Sequence, residues 1–219
     1  MRRIACALVL LMLTGIPAAS AAAKKPASVK LLRDDLTAVI TLDSGKTLKI
    51  TSKGIKLAPG TYFVKSIGIL KKDQKKRTWQ LRSIPNRLGG MKTITVAAEQ
   101  EKILDLGPPL NLHGWCRQGD PPKTDTVNIT FTTHGRYGVI YYPGAYRGKK
   151  PPPVPVFRLL TPDGTKIHEG RFTVTASNGG CRYVWKPGRF KGKYMIEIKA
   201  SFGPYKYKLN REGHAFEVK

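Results

Sequence analysis

Cysteine and histidine are scarce in this chain, three and four residues of 219, so they are the first candidates for chemistry. Cys181 stands in "SNGGCRYVWKPG", residues 177–188. As a nucleophile it would need a placed base, because a thiol is weak until it is deprotonated. His134 and His168 are the histidines available for that, and no local motif orients either of them. His113 and Cys116 form H-x-x-C, and with Cys181 they would offer three soft ligands suited to zinc or copper. A second Cys-x-x-Cys pair and a Cys–His–Met cluster are both missing, so no metal or other cofactor is assigned. A third kind of chemistry is electrostatic. "KKDQKKR" places Lys71, Lys72, Lys75, Lys76 and Arg77 in one short run. The carboxylates form no acid/base pair: Asp34 with Asp35, and Glu99 with Glu101, read as surface residues, and a glycosidase needs two carboxyls held across a cleft.

The elements that must position these residues are strands. Ala38, Ile40 and Leu42 fall on one face of a strand with Thr37, Thr41 and Asp43 among the residues opposite, and the same period of two recurs at Ile94 and Val96, at Val127, Ile129 and Phe131, and at Tyr194, Ile196 and Ile198. Period two with β-branched and aromatic residues predicts half-buried strands. Turn signals punctuate them: "DSGK" at 43–46, "APG" at 58–60, "PDG" at 162–164, "NGG" at 178–180 and "KPG" at 186–188. No helix is expected after the N-terminal segment. The fold class is therefore all-β, two antiparallel β-sandwich domains following a leader. In "CRYVW" the alternation puts Cys181, Tyr183 and Trp185 on one face, and the two aromatics mark that face as the inner one. "DTVNITFTTHGRYGVIYY" carries an Asn128-Ile129-Thr130 sequon. It also begins a run with Tyr137, Tyr141, Tyr142 and Tyr146 near Arg136 and Arg147, where tyrosines pack across strands or stack on ligand faces.

The N-terminus sets the compartment. "MRR", the apolar stretch "IACALVLLMLTGI" and the small residues around Ser20 make the layout of a cleaved secretory signal, residues 1–21. Residues 22–27 are expected to be a short disordered linker. A first small sandwich is expected over 28–107 and a larger one over 108–219, with the boundary in the Pro/Gly-rich stretch 105–125. "GKKPPPVPV", 148–156, reads as an extended loop or edge. Cys6 leaves with the signal, so Cys116 and Cys181 remain in an oxidising compartment and are expected to pair as a disulfide. Removing residues 1–21 takes Arg2 and Arg3 from the 39 basic residues and none of the 14 acids, leaving a net charge of +23. Export excludes intracellular nucleic acid as the partner of so basic a chain. It leaves anionic polymers or glycans of the cell envelope, with Lys71, Lys72, Lys75, Lys76 and Arg77 as the cationic patch. No second long apolar stretch follows the leader, so no transmembrane segment is expected in the mature chain. The location is periplasmic, cell-surface or extracellular.

Two local motifs resemble known families. Leu57, Pro59, Gly60 and Tyr62 resemble the L-x-P-G-x-Y signature of transthyretin-like and carboxypeptidase-regulatory-like domains. The likeness covers about residues 28–107. It implies a small Greek-key sandwich, used in those families mainly as a non-catalytic accessory or adhesion unit. "WKPGRFKGKYMIEI" repeats the device of a Pro-Gly turn ahead of a strand-opening Tyr, and the second half resembles a generic immunoglobulin-like sandwich. "SNGGCR" is similar to the S-H-G-C-x-R signature of L,D-transpeptidases, which would make Cys181 the nucleophile of a cell-envelope enzyme. Asn178 stands where that motif has its His, an additional glycine precedes Cys181, and Arg182 follows directly. The reading from sequence is an exported, non-catalytic protein for adhesion, scaffolding or anionic-polymer binding. The Cys181 enzyme and an inert modular spacer are its alternatives.

Overall fold

The computed structural model describes residues 25–118, 125–174, 180–209 and 215–218, and the expected signal peptide lies outside the described residues. The chain is all-β. In the first half run β1 (Ala27–Leu31), β2 (Thr37–Leu42), β3 (Thr47–Ile50), β4 (Ile55–Leu57), β5 (Gly60–Lys72), β6 (Thr78–Arg82), β7 (Thr93–Val96) and β8 (Glu101–Leu104). The second half holds β9 (Leu110–Gln118), β10 (Val127–His134), β11 (Ile140–Tyr141), β12 (Tyr146–Arg147), β13 (Val156–Leu160) and β14 (Lys166–Arg171). It continues with β15 (Thr173–Val174), β16 (Cys181–Trp185), β17 (Gly192–Lys199), β18 (Tyr207–Leu209) and β19 (Ala215–Val218). The only helical elements among the described residues are single 3₁₀ turns at Gly89–Met91 and Arg136–Gly138. β1 opens at Ala27, inside the stretch expected to be linker, and Lys25 pairs with Glu99 at 2.6 Å.

Burial follows the alternation of the sequence. β2 buries Ala38, Ile40 and Leu42, β10 buries Val127, Ile129, Phe131 and Thr133, and β17 buries Tyr194, Ile196 and Ile198. These strands form four sheets, ordered β4-β1-β8, β12-β6-β5-β2-β3 with β7 also on β5, β15-β16-β10-β9-β18 with β11 on β10, and β14-β13-β17-β19. Pairing is antiparallel except for β1 with β8 and β9 with β18. A parallel neighbour needs a long connection rather than a hairpin. These two pairs bring residues far apart in sequence to the same edge. In the second half, rings from facing sheets interlock. Phe157 lies 4.8 Å from Tyr183 and 4.9 Å from Phe172 between ring centroids, and Trp185 meets Tyr194 edge-on at 5.4 Å. Such tilted and edge-on contacts add to burial.

The sequence halves are also joined. β12, from beyond the Pro/Gly-rich stretch 105–125, pairs with β6, with Tyr146 opposite Gln80 and Arg147 opposite Trp79. Ile84 N–H donates to Ile140 O and Tyr142 N–H to Arg82 O, both at 2.9 Å. The buried Tyr205 hydroxyl lies 2.6 Å from Ile69 O and 2.8 Å from Trp79 O. Gly203 takes φ +55 against the Trp79 ring, and a Cβ there would fall 2.5 Å from ring carbons. Only glycine lets the chain turn that closely.

Candidate functional site

The basic run is a β-hairpin. Lys71 and Lys72 end β5, residues 73–77 form the turn, and Thr78 begins β6. Its organising residue is Asp73. One carboxylate oxygen accepts the backbone N–H groups of Lys75 and Arg77, each at 2.9 Å. The other accepts Arg77 Nε at 2.7 Å and Trp79 Nε1 at 3.0 Å. An aspartate that satisfies nearby backbone donors is a common way to close a tight turn. Four donors converge on one carboxylate, the Trp79 indole foremost, and they hold Asp73 down at a pKa of about 2. Lys76 takes the left-handed conformation, φ 56, that completes the turn.

This arrangement sorts the five expected cations. Arg77 is tied to Asp73. Lys71 is half-buried and reaches Asp35 at 2.8 Å, where Arg33 also binds at 2.9 Å. Partial burial opposes ionisation of Asp35, and the hydrogen bonds from Lys71 and Arg33 outweigh it and lower its pKa. Lys72, Lys75 and Lys76 are exposed, and among the described residues no carboxylate pairs with them. An open cleft of about 550 Å³ borders Lys72 and Lys75, with Asp73, Arg77, Trp79 and Gly203 also in its lining. β12 adds further cations that are remote in sequence. Gly148 N–H donates to Thr78 O, and Arg147, Lys149 and Lys150 form the turn that follows. On the same sheet Arg82 stacks over Tyr146 at 4.0 Å. Tyr146 thus contributes to a surface, whereas Tyr141 is fully buried.

The cysteines do not form the expected disulfide. Cys116 lies opposite Ile129 and Cys181 opposite Phe131, on the two strands that flank β10, and both thiols are free. Two interstrand spacings separate them by about 10 Å, beyond the ~7 Å reach of a disulfide between Cα atoms. A whole strand intervenes, which no local feature of either cysteine signals. Cys181 is 0% exposed, and burial pushes its thiol up to about 12. Burial likewise raises Cys116 to about 12, against a hydrogen bond with Tyr194 that works the other way.

His113 and Cys116 sit three positions apart on β9, so they face opposite sides of the sheet and cannot hold one metal. Cys181 points inward, while His113 and His134 stand on the outer face of the same sheet. The imidazoles are thus separated from the thiol by the sheet itself. His168 packs between Phe157 and Trp185 and hydrogen-bonds Tyr183 OH at 2.9 Å. Burial lowers the pKa of this partly buried imidazole. The position of Asn178 in the transpeptidase-like motif lies outside the described residues.

The outer face of the β16-β10-β9 sheet carries a group that the motif search passed over. Trp115 and Arg182 lie on either side of Thr130, and His113 lies opposite Thr132. With His134, Arg87 and Ile140 they line a hollow of about 580 Å³. No helix among the described residues is long and apolar enough to cross a membrane. Comparison with family models, with curated proteins and with solved structures returned no match.

Proposed function

We propose that this chain is an exported, non-catalytic protein of the cell envelope, built from two β-sandwiches behind a cleaved signal peptide, that binds anionic polymers by surface contact. One observation carries the reading. Asp73 commits its own charge to ordering the hairpin turn, and the lysines displayed beside it, Lys72, Lys75 and Lys76, have no carboxylate partner among the described residues. Such cations are the groups a polyanion can neutralise, and their attraction is screened by salt. The neighbouring turn with Arg147, Lys149 and Lys150 extends the same cationic surface along the edge of β6. The tyrosine that follows the Pro-Gly turn in the first half bonds back on itself, Tyr62 OH donating to Ala58 O at 2.6 Å. That contact is in keeping with the transthyretin-like and carboxypeptidase-regulatory-like resemblance, and so with an accessory or adhesion role. A buried, protonated Cys181 gives the enzyme alternative no nucleophile.

The test is charge reversal of the turn. The triple variant K72E/K75E/K76E is expected to lose most of its affinity for polygalacturonate and for polyphosphate, and its remaining binding should depend less on salt. Unchanged affinity and unchanged salt dependence for both polymers would overturn the reading.

A further inference from the structure

The hollow on the outer face of β9, β10 and β16 combines three features. It has an exposed aromatic, it is cationic with no acid among the described residues of its wall, and it offers several hydroxyl and imidazole hydrogen-bonding groups. Trp115 is 46% exposed on β9, opposite Thr130 of β10 and beyond the Leu110–Leu112 stretch that pairs with β18, so its indole is open to a ligand. Across Thr130 stands Arg182. Asn128 Oδ1 accepts Arg182 Nε at 3.1 Å and Nη2 at 2.6 Å, which fixes the guanidinium, and Nη1 has no partner among the described residues. The second cation, Arg87, comes from the segment after β6, whose carbonyl accepts Ile140 N–H at 2.9 Å. The hollow is therefore built by both sequence halves. Its floor holds Thr132, whose hydroxyl is 2.8 Å from His134 Nε2, and the His113 ring, 4.5 Å from that of His134.

We propose that this hollow is a binding subsite for an acidic pyranose, a uronate unit, with the sugar ring on Trp115 and the carboxylate on Arg182 and Arg87. An apolar sugar face suits an indole, and a planar guanidinium suits a carboxylate. Trp115 and Arg182 are two interstrand spacings apart, about 10 Å between their Cα atoms, so side chains leaning inward can span one ring and its carboxylate. The threonine hydroxyls and imidazoles match a polyhydroxylated ligand, whereas a nucleobase stacked on Trp115 would leave them unused. Two arginines, with no carboxylate among the described residues of the lining, select an anion over a neutral sugar. The inference rests on the reading of the chain as an anionic-polymer binder and assigns that polymer a sugar-acid chemistry.

The experiment titrates the full mature chain with trigalacturonate, its neutral counterpart galactotriose, and tripolyphosphate, following tryptophan fluorescence and heat. Trigalacturonate is expected to bind, galactotriose and tripolyphosphate at least about tenfold more weakly, a difference of ~1.4 kcal/mol. W115A and R182Q should each weaken trigalacturonate about tenfold, while W115F retains most of it. Both positions are exposed, so unaltered strand signal in circular dichroism checks that the variants fold. K72E/K75E/K76E should leave trigalacturonate binding in place while losing long polymer, which separates failure of this inference from failure of the polymer reading. Equal binding by W115A and the wild type, or binding of tripolyphosphate or galactotriose as tight as trigalacturonate, would overturn it.

Discussion

The basic hairpin and the Trp115 hollow are both cationic, and they are assembled in opposite ways. The hairpin is made from seven consecutive residues, 71–77, ordered by one of their own number, Asp73. The hollow is made from residues of β9, β10, β11 and β16 and from Arg87 of the segment after β6, and it exists only when those strands take their register. The first presents loose lysines, which act as point charges on flexible stems. The second presents a guanidinium held by Asn128 beside a fixed indole. A surface of the first kind recognises charge density, whereas one of the second kind recognises shape.

The variant with the largest expected effect cuts the support common to the hairpin cleft. Gly203→Val puts a branched side chain into the Trp79 ring at a left-handed backbone position, and should cost about 3 kcal/mol by chemical denaturation. It should weaken polymer binding without altering any charge. Fully retained stability would mean that the 203–205 turn does not brace the hairpin. Next comes the buried thiol. Cys181→Ser places a hydroxyl beside Phe131 in the core and should cost about 2 kcal/mol. Cys116→Ser keeps a partner in Tyr194 and should cost less. Equal losses would argue that the two strands are not related to the core as described. Titration of the denatured, unreduced protein should find Cys116 and Cys181 both free, since β10 separates them.

Smaller effects follow pH. The folded-state pKa of Asp73 lies near 2, below the ordinary 3.8, so its ordering of the turn is complete above about pH 4 and is lost as pH falls through 2. Trp79 fluorescence should report that transition, and Asp73→Asn should remove it while other acid-induced changes persist. The smallest effect sharpens the comparison itself. Burial, and then the charge of His113, lower the pKa of His134, so it becomes cationic only below the ordinary histidine range. The titratable groups lining the hollow are His113, His134, Arg87, Arg182 and the buried, protonated Cys181, with no acid among the described residues to offset the cations. Trigalacturonate binding should therefore tighten modestly from neutral pH toward pH 5, and His134→Gln should flatten that trend. Hairpin-dependent polymer binding should not change over the same range.

How much of this was legible in the sequence depends on how far each feature reaches. The strand faces were legible, because alternation is local: Val127, Ile129 and Phe131 declare an inner face without knowing their neighbours. The basic run was legible too, and its aspartate carried a further signal, since an Asx side chain in a polar turn seeks backbone N–H groups. Register was not legible. Cys116 and Cys181 look like natural partners until β10 is found between them. Arg87, Trp115 and Arg182 share no motif and meet only through pairing across three strands and a loop. The addition of β12 to β6 is likewise a tertiary event, with nothing in "GAYRGKK" naming Trp79 as its neighbour.

The most direct test of the central claim is a salt-dependent titration of polygalacturonate into the mature wild-type chain and K72E/K75E/K76E. The account predicts that wild-type affinity falls steeply as salt rises and that the variant is both weaker and less salt-sensitive. Coincident curves for the two proteins would contradict it.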